Sequence, residues 1–95
     1  MPQLVCKVAS SPLAHERALF VEDADRRELE SWASADLVTV EGGDEGGLDE
    51  GVARGLVRVR LVEEDRAGGR ALVELPQELV LGGRRLWVPS EALRR

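Results

Sequence analysis

Residues 55–93 read GLVRVRLVEEDRAGGRALVELPQELVLGGRRLWVPSEAL, and no other stretch so narrows the choice of folds. Apolar residues recur at every second position: Val57, Val59 and Leu61, then Ala71, Val73 and Leu75. A period of two marks a strand with one face buried. Residues 65–69 (DRAGG) have turn chemistry. Pro76 breaks the ladder, as at an edge or corner. Residues 78–81 lead to Gly82 and Gly83, a pair suited to a two-residue hairpin turn because glycine accepts positive φ. Residues 84–88 return, Pro89 stops them, and Ser90 is placed to cap a last helical turn over 91–94. The expectation is an antiparallel meander.

The other segments pack on this meander or lead into it. Residues 3–9 alternate, with Leu4, Cys6 and Val8 on the inner side. Cys6 then acts as a small buried hydrophobe. Residues 12–22 admit two readings, a short helix opened by Ser11 and Pro12 or a turn followed by a strand over 17–22. The strand is favoured, with Ala18 and Phe20 or Leu19 and Val21 as its inner face. Residues 23–33 (DADRRELESWA) carry Leu29, Trp32 and Ala33 at helical spacing behind acidic residues. They predict one main helix near residues 24–34, with Trp32 as a core anchor and Arg26 paired to Glu30 on the outer side. Residues 36–41 (DLVTVE) predict a strand from their β-branched content. Residues 42–51 (GGDEGGLDEG) predict a flexible acidic loop: glycine and carboxylates cannot seed a core, and the spacing is not that of an EF-hand.

These elements make an α+β, β-rich fold. The order of strands and turns in the C-terminal half is that of a meander curling toward a small SH3-like barrel. One domain over residues 1–95 is expected, since a chain of 10.4 kDa buries roughly 64% of its unfolded surface. No apolar run approaches the ~20 residues of a membrane span. The start MPQLVCKVASSP lacks a secretory pattern, and the one cysteine leaves no intrachain disulfide. The expected location is cytoplasmic.

Charge is divided unevenly. Residues 1–51 hold four basic and twelve acidic side chains, and residues 52–95 hold nine and six. Twelve of the thirteen basic residues are arginine, a bias that base composition of the genome can produce unaided. Arg58 and Arg60, two apart, fall on one face of a strand, with Arg84 and Arg85 at the glycine turn. If Leu86 and Val88 face the core, Trp87 faces outward beside Arg85. Arg58, Arg60, Arg84, Arg85 and Trp87 are therefore the candidate binding residues. A basic sheet face with an aromatic residue suits docking of a protein partner, a second copy in a homodimer, or RNA or single-stranded DNA by stacking and phosphate contact. The net charge of −5 disfavours nucleic acid.

For catalysis the chain offers little. His15 is the lone histidine, there is no G-x-S-x-G elbow, and no Cys/His set has metal spacing. The start MPQLVCKV resembles the opening of the tautomerase superfamily. That resemblance implies Pro2 as the general base and a long amphipathic helix after the first strand. The leading expectation is a small non-catalytic interaction or regulatory module without cofactor or metal. Nucleic-acid binding is the alternative, and a Pro2-dependent tautomerase the second alternative.

Overall fold

A computed structural model describes residues 1–41 and 51–95. The acidic loop expected over 42–51 lies, apart from Gly51, outside the described residues. Among the described residues, nine strands form two antiparallel sheets. Strand β1 (Gln3–Ser10) is central to the larger sheet, and its inner residues Leu4, Cys6 and Val8 are buried as the alternation predicts. Residues 11–15 turn back directly into β2 (Glu16–Glu22). The strand reading of this region holds, and the long helix implied by the tautomerase resemblance is absent. Leu19 and Val21 supply the inner face of β2, leaving Ala18 and Phe20 outside.

The main helix expected near residues 24–34 is a hairpin turn and a strand, β3 (Glu28–Ser34). Asp23 directs the turn. Its Oδ1 accepts from the backbone N–H groups of Asp25 and Arg27, each at 2.9 Å. The Arg26 N–H reaches the Asp23 carbonyl, and the Asp23 N–H reaches the Arg27 carbonyl. Arg26 takes the left-handed conformation, φ 66°, that follows a type I turn in a bulged hairpin. Its guanidinium pairs with Glu22 and Glu91 instead of Glu30. Leu29 and Ala33 fall on the inner side under either periodicity. The two readings differ at Ser31 and Trp32. Ser31 is 2% exposed and Trp32 40% exposed, so Trp32 is not a core anchor. Burial of Ser31 is tolerable because its Oγ donates toward the carbonyls of Gln77 and Glu78, at 3.3 and 2.9 Å.

A 3-10 turn (Ala35–Leu37) leads to β4 (Val38–Val40), shorter than the strand expected over 36–41. Strand β5 (Val52–Arg58) lies between β1 and β4. A single residue, Val59, separates it from β6 (Arg60–Asp65), so the chain passes from one sheet to the other almost without a break. Val59 is buried, and its N–H donates to the Pro2 carbonyl. The smaller sheet is β6, β7 (Arg70–Glu74) and β8 (Arg85–Pro89). Residues 66–69 make the turn expected of DRAGG. Gly82 and Gly83 both have positive φ, but residues 78–81 are not a strand. They belong to a longer excursion from 75 to 84, whose Val80 N–H bonds the Glu30 carbonyl at the edge of β3. After β8, a 3-10 turn (Ser90–Ala92) replaces the expected helical turn, and β9 (Leu93–Arg94) pairs with β1.

The strand order is β3-β2-β1-β5-β4 in one sheet, with β9 beside the first residues of β1, and β6-β7-β8 in the other. The sheets share one hydrophobic core but do not close into a barrel. The architecture is β-rich and antiparallel, and neither an α+β description nor an SH3-like closure applies. One inward row, Leu93–Leu4–Val57–Val38, crosses four strands. Leu4 and Val57 in it are fully buried, each contributing about 1.5–3 kcal/mol by leaving water. Among the described residues no helix is long and apolar enough to cross a membrane.

Candidate interaction surface

The bend at Val59 separates Arg58 from Arg60. Arg58 ends β5 in the larger sheet, where its charge helps hold the Asp36 carboxyl below its usual range, behind the larger effect of the Ser34 hydroxyl. Arg60 begins β6 in the smaller sheet, directly across from Glu74. Glu74 lies between two strands and faces both Arg60 and Arg85. Each guanidinium places a nitrogen 3.0 Å from Glu74 Oε2. Hydrogen bonds from Arg60, then from Arg85, pull the Glu74 carboxyl down to about 2.

Arg84 donates to two backbone carbonyls, Leu75 at 3.2 Å and Pro76 at 3.1 Å, and so braces the 75–84 excursion. Trp87 is half-buried on the outer side of β8, with Leu86 and Val88 inward as the alternation requires. The Arg70 guanidinium lies 4.4 Å from the centre of its ring, a cation–π contact. Asp65 in turn holds Arg70 at 3.1 Å. The outer face of the smaller sheet is therefore a set of closed pairs. Its arginines are matched by Glu74 and Asp65, and the Trp87 ring already carries a guanidinium. Arg60 and Arg85 come together on one carboxylate, while Arg58 and Arg84 stand apart from them.

The other candidate chemistries are readily placed. Cys6 is buried, and burial pushes its thiol up to about 12, which removes the thiolate that reactivity needs. Pro2 is half-buried, and its carbonyl is tied to Val59. His15 is exposed in the turn between β1 and β2. Among the described residues no three His, Cys, Asp or Glu side chains gather as a metal site. A hollow of about 730 Å³ is lined by Arg26, Arg70, Asp65 and Glu91 among others, and both arginines there are already paired.

The outer face of the larger sheet also closes charge pairs, Lys7 with Glu28 at 3.0 Å and Arg54 with Glu41 at 3.3 Å, but it adds an apolar stripe. Register places Trp32 beside Ala18, Ala18 beside Ala9 and Ala9 beside Val52, so one apolar stripe crosses β3, β2, β1 and β5. Its ends are the most exposed, Trp32 at 40% and Val52 at 57%, and its middle is two alanines. The adjacent row is Glu30–Phe20–Lys7–Arg54. A shallow hollow of about 450 Å³ lined by Lys7, Phe20, Glu28, Val52, Ala53 and Arg54 lies along it. Val80 and Leu81 stand 68% and 84% exposed beside the β3 edge. Sequence reasoning missed this surface for two reasons. It assigned Trp32 to a helix, and it left open which of the two β2 faces is outward. The signal was present in the alternation of Leu29, Ser31 and Ala33 against Glu28, Glu30 and Trp32.

Comparison with family models, with curated proteins and with solved structures found no match to this chain.

Proposed function

We propose that the protein is a small, cytoplasmic, non-catalytic interaction module that engages another polypeptide through the outer face of the larger sheet. The observation that carries this reading is the stripe Trp32–Ala18–Ala9–Val52 with Phe20 alongside. Exposed apolar side chains scattered singly need no explanation, whereas a contiguous patch rimmed by charge is the usual form of a docking surface. Aromatic anchors flanked by small residues allow close approach, and Trp and Phe are enriched where interfaces are tightest. The face fits protein better than nucleic acid. The arginines that would grip phosphate on the smaller sheet are bound to Glu74 and Asp65, and freeing them would forfeit those pairs.

Site-specific photo-crosslinking in cells tests the reading. Phe20→benzoylphenylalanine places the probe on the stripe side, and Glu63→benzoylphenylalanine places it on the smaller sheet. Polypeptide adducts at position 20 and few at position 63 are expected. Equal labelling at both positions, or none at position 20, would refute the assignment of this face.

A further inference from the structure

We infer that the polypeptide taken by this face is a second copy of the chain, related by a two-fold axis that runs parallel to the strands between β1 and β2. The inference rests on the reading of this face as an interface, and it commits that interface to one occupant. Three observations point to it.

The first is charge. Outward from β2 and β3 on one side of the axis stand Glu22, Glu28 and Glu30; outward from β1 and β5 on the other stand Lys7, Arg54 and Arg58. Within one copy Lys7 already reaches Glu28 at 3.0 Å, Arg26 pairs with Glu22, and Glu41 beyond β5 pairs with Arg54 at 3.3 Å, which leaves Glu30 without an ion pair inside the chain among the described residues. By strand, β2 and β3 present acids and β1 and β5 present bases, with Glu41 the exception beside Arg54. A two-fold axis between the halves lays each half over its opposite, the self-complementarity that an isologous interface requires. A copy stacked without that exchange would set like charges together.

The second is register. The same axis carries the row Glu30–Phe20–Lys7–Arg54 onto itself in reverse, so Glu30 meets Arg54 of the second copy, and Phe20 meets the alkyl stem of its Lys7. In the apolar row, Trp32 covers Val52 of the second copy, and Ala18 meets its Ala9. The small residues fall at the axis, where the two sheets come closest, and the large ones at the ends. Sheets packed face to face keep their strands within about 30° of one another, so rows near the axis stay opposed.

The third is area. The axis opposes four strands, β3, β2, β1 and β5, and four strands at ~4.8 Å spacing with about seven residues at ~3.3 Å rise give a face of roughly 19 by 23 Å in plan. With side-chain relief added, this comes to the small end of specific interfaces, about 600 Å² per partner.

Sedimentation and light scattering of the purified chain, from micromolar to about 1 mM, test the proposal alongside the crosslinks at position 20. A dimer is expected, with position 20 crosslinking to the chain itself. Ala18→Glu buries a carboxylate at the axis and should weaken association at least about tenfold while the monomer stays folded by circular dichroism. Arg54→Glu should weaken it as well, and adding Glu30→Arg should restore it, because the double exchange rebuilds the pair with its sign reversed. A monomer at every concentration would overturn the proposal. If position 20 then crosslinks to a different protein, the interaction reading stands without self-association; if it crosslinks to nothing, both fall. A dimer indifferent to Ala18→Glu and to the charge exchange would also overturn it, since such a dimer uses another surface.

Discussion

Gly55 offers a sharp test of how the larger sheet is assembled. It sits in the middle of β5, opposite Cys6 on β1 and Val40 on β4. Its backbone is in an ordinary extended region that alanine adopts freely, so any cost of Gly55→Ala is steric. A Cβ at this position would lie 2.7 Å from the Thr39 carbonyl oxygen and 2.7 Å from Val8 Cγ2, where ordinary contact begins near 3.4 Å. The first obstacle is backbone, and the second belongs to a fully buried side chain. Neither can yield without shifting a strand. Overpacking of this kind costs about 1–3 kcal/mol, and two simultaneous obstacles place this case near about 2–3 kcal/mol. For a chain of this size that is a fall in Tm of roughly 10–20 °C. Thermal and urea unfolding followed by circular dichroism would measure it. Gly82→Ala is the contrast: nothing lies within 4 Å of its Cβ, and its φ of +99° confines the cost to backbone strain of about 1 kcal/mol. Val8→Ala removes one of the two obstacles at Gly55, so the double substitution should be less destabilising than the sum of the single ones. A Gly55→Ala protein that melts within about 1 kcal/mol of the parent would refute this packing of β4, β5 and β1.

Other outcomes follow from the same geometry. Ser31→Ala leaves the Gln77 and Glu78 carbonyls without their hydroxyl donor and should cost about 1–2 kcal/mol in urea melts, whereas a helix with Ser31 outward would lose almost nothing. Glu74 has its carboxyl held near 2, well below its ordinary 4.5. Its contribution is therefore fully present above about pH 4.5 and is lost as pH falls toward 2. The stability gap between parent and Glu74→Gln should shrink across that window and stay constant from pH 5 to 7. Cys6, with its thiol near 12, should resist alkylation in native buffer and react fully in denaturant; rapid native labelling would contradict its burial.

Much of this architecture is legible along the chain, because each strand's own alternation identifies its inner face. Leu4, Cys6 and Val8, and likewise Ala71, Val73 and Leu75, are buried as their spacing requires. The DRAGG turn follows from glycine chemistry alone. What cannot be seen along the chain is what lies across it. Residues 23–33 carry a helical stripe and a strand alternation together. The choice between them is made by Gln77 and Glu78, which accept Ser31 from more than forty residues away. The arginines mislead for the same reason. Spacing shows that Arg60 and Arg85 face outward, but only the register of β6, β7 and β8 shows that one carboxylate, Glu74, answers both. The apolar stripe is likewise a property of four strands laid side by side, with one large residue at each end and an alanine on each strand between.

The place of β1 has a kinetic consequence. Its C-terminal half pairs with the nearby β2, but its other edge waits for β5 and its first residues for β9. Leu4 and Leu93, neighbours in the finished sheet, are about ninety residues apart in sequence, and such long closures slow folding toward the millisecond-to-second range. The β2–β3 hairpin can form early from local contacts. The smaller sheet, a plain meander, can do the same. The two halves then meet along β1, and until β5 arrives that strand presents an open edge and the apolar side chains of Leu4 and Val8. An arrangement that puts the first strand at the centre makes that interval the one in which the chain is most exposed to aggregation.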